Sequence, residues 1–159
     1  MFIRHDAILD SHQLHWPDED ACAAWARHLA SLAALREAYI ELQGPLGAGK
    51  TTLVRHLLQA MGVTGRIKSP TYAVVESYEL PGLHISHFDF YRFDDPRQWA
   101  DAGLRDMFAA PGLKLAEWPE KVAVALPVAD LHLHIEPQQD GSRQVQLQAL
   151  SARGLELMR

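Results

Sequence analysis

Gly44-Pro45-Leu46-Gly47-Ala48-Gly49-Lys50-Thr51-Thr52 fits the phosphate-loop pattern G-x-x-x-x-G-K-[ST] at every fixed position. Glycines at 44, 47 and 49 let the backbone turn tightly and let successive N–H groups converge on phosphate oxygens. Lys50 adds a compact positive charge for the β- and γ-phosphates, and the Thr51 hydroxyl follows at the place where Mg²⁺ is held. Thr52 supplies a further phosphate contact. Such a loop works only between a buried strand and a helix N-terminus, whose free N–H groups and dipole favour an anion. Both flanks are present: Ala38 to Leu42 reads as a short strand, and Val54, Leu57, Leu58 and Met61 repeat with helical spacing before Gly62. The expectation is nucleotide binding, with Pro45, Leu46 and Ala48 lining the same loop.

The chain has 159 residues, 48% hydrophobic and 22% charged, which suits one domain, residues 1–159, with a full core. No apolar run approaches the roughly 18 residues of a membrane span. Met1 to Asp6 lack the basic-then-apolar design of a signal peptide, so the expected location is cytoplasmic, without membrane contact. Cys22 is the only cysteine, which excludes an internal disulfide and any cysteine-rich zinc site, and it is expected in the core. Fifteen Lys and Arg against twenty Asp and Glu give a net charge of −5, so no global basic field is available to hold nucleic acid.

Residues 1 to 16 form either an edge strand or an ordered tail. From Pro17, acidic residues open a helix whose apolar stripe is Cys22, Trp25, Ala26, Leu29, Leu32 and Ala33. Ser69-Pro70-Thr71 falls in a polar loop, since Pro70 biases its predecessor to extended geometry. Tyr72 to Leu80 and Leu83 to Phe90 read as a hairpin about Pro81-Gly82, which makes the sheet mixed. The second strand ends in His87-Phe88-Asp89-Phe90-Tyr91-Arg92. Asp89 there is either a turn-forming carboxylate or, beside a phosphate loop, the second hold on Mg²⁺, and the metal role is favoured.

Asp95-Pro96 opens a helical stretch through Trp99 and Leu104 that ends before Pro111-Gly112. Leu113 to Glu117 reads as a strand ending in an acid that orients water or supports the metal, or is simply a solvated strand end. Trp118 beside it reads as core or lid packing before a nucleotide platform. Val122 to Leu126 is helix or strand. Leu131, Leu133 and Ile135 alternate with His132 and His134, whose shared face reads as solvated before it reads as metal-binding. Asp140-Gly141 turns into a last strand with Val145 and Leu147 inside, and the segment from Gly154 to Arg159 is too brief to specify a partner helix.

The chain contains no asparagine, so the Asn-Lys-x-Asp element that reads guanine cannot exist and ATP is the better expectation. A small kinase and a regulatory ATPase remain. In the kinase, Asp89 would be the base for an acceptor hydroxyl on a metabolite or nucleoside, and Arg92, Arg97 or Arg105 a phosphate clamp.

Taken together, the phosphate loop, Ser69-Pro70-Thr71-Tyr72, His87 to Arg92 and Glu117-Trp118-Pro119 closely resemble the bacterial TsaE family, P-loop ATPases of tRNA threonylcarbamoyladenosine biosynthesis. The resemblance runs over nearly the whole chain. It implies a three-layer α/β sandwich of P-loop NTPase type with a mixed sheet. It also implies an ATPase that is weak alone and is stimulated by threonylcarbamoyl transferase partners of TsaD and TsaB type, with tRNA engaged only through them. Carried over to this chain, Lys50 and the loop amides bind the phosphates of ATP or ADP, Thr51 and Asp89 serve Mg²⁺, and Glu117 supports metal or hydrolytic water. Ser69, Pro70 and Thr71 act as a switch, while Trp118 and Arg143 lie beside the nucleotide. Lys50, Asp89 and Glu117 are then the catalytic set. Where the family commonly has a threonine near the bound base, this chain has Cys22, a poorer hydrogen-bond donor.

Overall fold

In the computed structural model, residues 7–70, 74–95, 97 and 103–159 are described. A seven-stranded mixed sheet, ordered β1-β7-β6-β2-β5-β4-β3, runs through the molecule. Its strands are β1 (Asp10–Trp16), β2 (Tyr39–Gln43), β3 (Val75–Leu80), β4 (Leu83–Asp89), β5 (Leu113–Glu117), β6 (Leu131–Pro137) and β7 (Arg143–Ala149). The four central strands, β6, β2, β5 and β4, are parallel, and antiparallel partners close both edges. Within the first sixteen residues, Asp10–Trp16 are an edge strand: β1 pairs along its whole length with β7.

Helices α1 (Glu19–Ala30) and α2 (Lys50–Met61) cover one face of the sheet. Asp18 caps α1 by accepting the Ala21 N–H at 3.0 Å, and Glu19 and Asp20 in the first turn match the helix dipole. The helix stops at Ala30, short of the expected stripe. Leu32 precedes a 3₁₀ turn over Ala33–Glu37, where Leu35 is the buried residue. On α2, Leu53, Val54, Leu57 and Leu58 meet Ile40, Leu42, Leu115 and Leu133 of the sheet. Each such side chain contributes roughly 1.5–3 kcal/mol of apolar burial.

The other face packs a second cluster, with Phe88, Phe90, Tyr39 and Ala116 against Phe93, Leu104 and Leu126. Its cover is thinner: α3 (Leu104–Ala109) and two 3₁₀ turns at Pro119–Lys121 and Ala123–Ala125. The segment from Val122 to Leu126 is thus neither a strand nor an α-helix. The expected helix start at Pro96 and Trp99 lies outside the described residues, and the described helix begins at Leu104. Last comes α4 (Ala152–Leu157), capped by Ser151, which accepts the Gly154 N–H at 3.0 Å, so it begins before Gly154. These layers, α on mixed β on a thin α layer, are the expected sandwich.

The β6–β7 ladder sets His132 opposite Gln148 and His134 opposite Gln146. His134 pairs with Glu136 at 3.1 Å, and His132 reaches Gln148 at 3.4 Å, so the two imidazoles serve different neighbours.

Candidate nucleotide site

The parallel strands all end on the edge where β2 runs into the phosphate loop. Gly44 leaves β2 at φ 147°, and a Cβ there would stand 2.5 Å from the Ile135 carbonyl oxygen, so no other residue fits this turn. Gly49 takes a left-handed φ of 106° as the N-cap of α2, and no side chain caps the helix. The first N–H groups of a twelve-residue helix thus face the loop without a side-chain acceptor, the arrangement that receives an anion.

Lys50 is only 4% exposed. Its ammonium donates to the Gly44 carbonyl at 2.6 Å and lies 3.7 Å from the centroid of the Trp118 ring. Burial lowers its pKa, while Glu117, Glu120 and Asp89 pull it back up. Trp118 holds this place with a left-handed φ of 57°, a conformation that costs an aromatic residue roughly 1–3 kcal/mol. Tyr91 also packs against it, tilted, at 5.0 Å between ring centroids. Trp118 therefore packs as a lid on the lysine.

Asp89 and Glu117 are register partners on adjacent parallel strands, so their side chains leave the same face at the same height. Glu117, 2% exposed, accepts the Thr51 hydroxyl with both carboxylate oxygens at 3.0 Å, and its Oε2 also meets His87 Nε2 at 2.6 Å. Asp89 accepts the Tyr91 N–H at 2.9 Å. Its pKa is raised, first by burial and then by Glu117, with the Tyr91 N–H opposing. Two buried carboxylates beside a hydroxyl form a site of excess negative charge. Among the described residues no three His, Cys, Asp or Glu side chains form a metal cage of their own. Such a sparse oxygen set suits Mg²⁺, which keeps waters and shares phosphate oxygens.

A groove of about 310 Å³ gathers Leu46 to Thr52, Ser69, Asp89, Tyr91, Glu117, Trp118 and Arg143. Of the expected switch, Ser69 lines it, Pro70 is buried nearby in sequence, and Thr71 lies outside the described residues. Arg92, Arg97 and Arg105 do not line it, and Arg97 is engaged by Asp95 at 2.7 Å. Arg143 donates from Nε to the Ala48 carbonyl at 2.7 Å and separates this groove from a second cavity of about 230 Å³. That cavity is lined by Trp16, Asp18, Glu19, Cys22, Thr52 and Gly141 among others. Cys22 is thus both core and wall: 5% exposed, with its thiol pKa pushed up to about 11 by burial and by Glu19.

Three participants escaped the sequence reading. Trp16 sits in a stretch without periodicity, and Tyr91 had no signal of its own. His87 did have one, since it stands two residues before Asp89 on a strand and must share its face.

The family model described as "Threonylcarbamoyl adenosine biosynthesis protein TsaE" matches residues 16–145. The chain belongs to the TsaE family. It is 38% identical over 143 residues to the Haemophilus influenzae tRNA threonylcarbamoyladenosine biosynthesis protein TsaE, covering 87% of this chain and 90% of that one. To the Bacillus subtilis protein of the same name it is 32% identical over 114 residues, 72% of this chain and 71% of the other. The crystal structure of Bacillus subtilis YdiB superposes with a TM-score of 0.78 at 26% identity, covering 94% of this chain and 92% of that one. No helix among the described residues is long and apolar enough to cross a membrane.

Proposed function

We propose that this TsaE-family protein is a Mg²⁺-dependent ATPase acting in threonylcarbamoyladenosine modification of tRNA, together with transferase partners of TsaD and TsaB type. The observation that carries the reading is the convergence of Lys50, Thr51, Asp89 and Glu117 on an uncapped helix N-terminus. The uncapped turn, the loop amides and Lys50 would hold the phosphates, and the cavity beyond Arg143 has room for the nucleoside. Thr51, Asp89 and Glu117 would hold Mg²⁺, which supplies neutralisation of charge on the transferring phosphoryl group. Glu117, buried and hydrogen-bonded from two sides, is fixed to orient a water; Asp89 keeps an oxygen free beside it.

Turnover is expected to be slow in the isolated protein. Lys50 is covered by Trp118 and engaged by Gly44, and a partner that fixes the Ser69-Pro70 segment and excludes water would release and align it. A net charge of −5 speaks against independent tRNA binding. The family membership supports the place in tRNA modification.

The test is depletion of the protein followed by measurement of threonylcarbamoyladenosine in bulk tRNA. The modification should fall, and wild type but not Lys50→Ala should restore it; phosphate release should rise on adding the partners. Unchanged modification, with ATPase activity indifferent to partners, would overturn the reading.

A further inference from the structure

His87 is the most deeply buried titratable side chain at the site, at 0% exposure, and nothing in the proposed chemistry uses it. It sits on β4 two residues before Asp89 and reaches across to β5, where its Nε2 stands 2.6 Å from Glu117 Oε2. Glu117 takes the Thr51 hydroxyl on its other side. Backbone pairing fixes where the strand ends, since the Phe90 N–H donates to the Glu117 carbonyl at 3.0 Å. The carboxylate's rotation about its own side-chain torsions is set by His87 and Thr51 alone among the described residues.

We propose that His87 is a positioning residue for Glu117: its Nε2–H donates to Oε2 and locks the carboxylate plane toward the helix N-terminus and the space beside Asp89. Thr51 has a single hydroxyl proton to share between two oxygens, so it cannot set that plane by itself. A carboxylate taken out of water needs its oxygens satisfied. The imidazole fills the need from a rigid strand, on the side away from the groove, where it competes with no ligand. Outer partners of this kind usually govern a metal-binding carboxylate by a factor of 10–100 in affinity or rate. The inference rests on the reading of Glu117 given under the proposed function.

The experiment compares His87→Phe, which fills the space without a donor, with His87→Gln, whose amide nitrogen reaches where Nε2 stands, and His87→Asn, whose amide is one carbon short. The Mg²⁺ concentration that half-maximally tightens ATP binding is read by calorimetry, and kcat and KM with partners present. His87→Phe and His87→Asn should raise the Mg²⁺ midpoint and lower kcat by about 10–100-fold, with KM for ATP moving less than about threefold. His87→Gln should stay within about threefold of wild type in both. In a Glu117→Gln background, His87→Phe should add less than about twofold, because residues that act through one another are not additive. If His87→Phe does not fold, the Asn and Gln pair carries the comparison, and equal behaviour of the two overturns the proposal. A Glu117→Gln effect without a His87→Phe or His87→Asn effect overturns it while leaving Glu117 in place. An inert Glu117→Gln overturns the reading of Glu117 itself, and this inference with it.

Discussion

Lys50 and Lys114 are both buried lysines, 4% and 8% exposed, and both have pKa values lowered chiefly by burial. They occupy opposite ends of the parallel strands. Lys114, at the start of β5, donates to the Ala110 and Gly112 carbonyls, and Glu37 accepts the Gly112 N–H at 3.0 Å, so the charge there fastens a turn to the sheet. Lys50 also donates to a carbonyl, that of Gly44, but its surroundings are an uncapped helix, two carboxylates at strand ends and an aromatic ring held in a costly conformation. A perturbed lysine therefore does not mark a site. Its neighbours do: at one end the polar groups satisfy one another, and at the other they are held ready for something else.

The widest separation between the two ends should come from truncating each lysine. Lys50→Ala should weaken ATP binding by one to two decades, since a charge-assisted contact is worth roughly 1.5–3 kcal/mol. It should lower the melting temperature less than Lys114→Ala does, because it unpairs one carbonyl, that of Gly44, instead of two. Lys114→Ala should do the reverse, costing roughly 1–3 kcal/mol of stability through unpaired carbonyls and leaving ATP affinity within about threefold. Calorimetry and thermal melts on both variants check this, and equal loss of affinity would break the comparison.

Asp89→Ala and Glu117→Ala should divide binding from turnover, each lowering partner-stimulated hydrolysis by about tenfold or more while ADP affinity survives better than in Lys50→Ala. Normal hydrolysis by both variants would remove the carboxylates from the site. A smaller effect separates readiness from stability at Asp89. Its folded pKa is raised, so the native state holds the proton more tightly than the unfolded chain does. Stability then falls as pH rises from the ordinary carboxylate value of 3.8 through the folded value, and the cost persists above it. Asp89→Asn keeps the acceptor for the Tyr91 N–H and removes that cost. It should stabilise the nucleotide-free protein at pH 7 by about 1 kcal/mol, a gain that shrinks as pH approaches 4. A variant equally or less stable than wild type at pH 7 would show that Asp89 is not strained by its burial.

The phosphate-loop end was legible because its chemistry is local. The loop, the strand before it and the helix after it lie within 23 consecutive residues, Tyr39–Met61, and the periods of β5 and of the β3–β4 hairpin are short-range patterns. What the sequence hides is non-local. That β2 lies between β5 and β6 follows from how the chain returns, and the pairing of β1 with β7 joins residues more than a hundred apart. The stripe on α1 overran because Leu32 and Ala33 continue its period after the hydrogen-bond ladder has tightened and ended, with the Ser31 N–H turned back to His28 and the Leu32 N–H to Leu29. The segment from Val122 to Leu126 had no period to read, since consecutive 3₁₀ turns repeat too briefly to leave one. Asp89 and Glu117 were visible as acids ending strands. Their side-by-side register was not, and although the i, i+2 spacing put His87 on the face of Asp89, its reach across to Glu117 on the next strand was not visible either.

The smallest expected effect lies on the nucleoside side, at Cys22. Its thiol borders the cavity of Trp16, Asp18, Glu19 and Arg143, and with a pKa near 11 it stays protonated at neutral pH. A protonated, buried thiol is a weak donor and a poor nucleophile, so it offers a nucleoside little beyond van der Waals contact. Cys22→Thr sets a hydroxyl there, the residue type that the TsaE resemblance associates with the base. The substitution should tighten ADP by no more than the net worth of one hydrogen bond, about 0.5–1.5 kcal/mol or two- to tenfold. Pyrophosphate, which reaches only the loop, should bind both proteins alike. Iodoacetamide should meanwhile label native Cys22 at pH 8 roughly a hundredfold more slowly than the unfolded chain, because the thiolate fraction is that much smaller. If Cys22→Thr shifted pyrophosphate and ADP together, the change would be acting through the loop, and the two cavities on either side of Arg143 would have to be treated as one site.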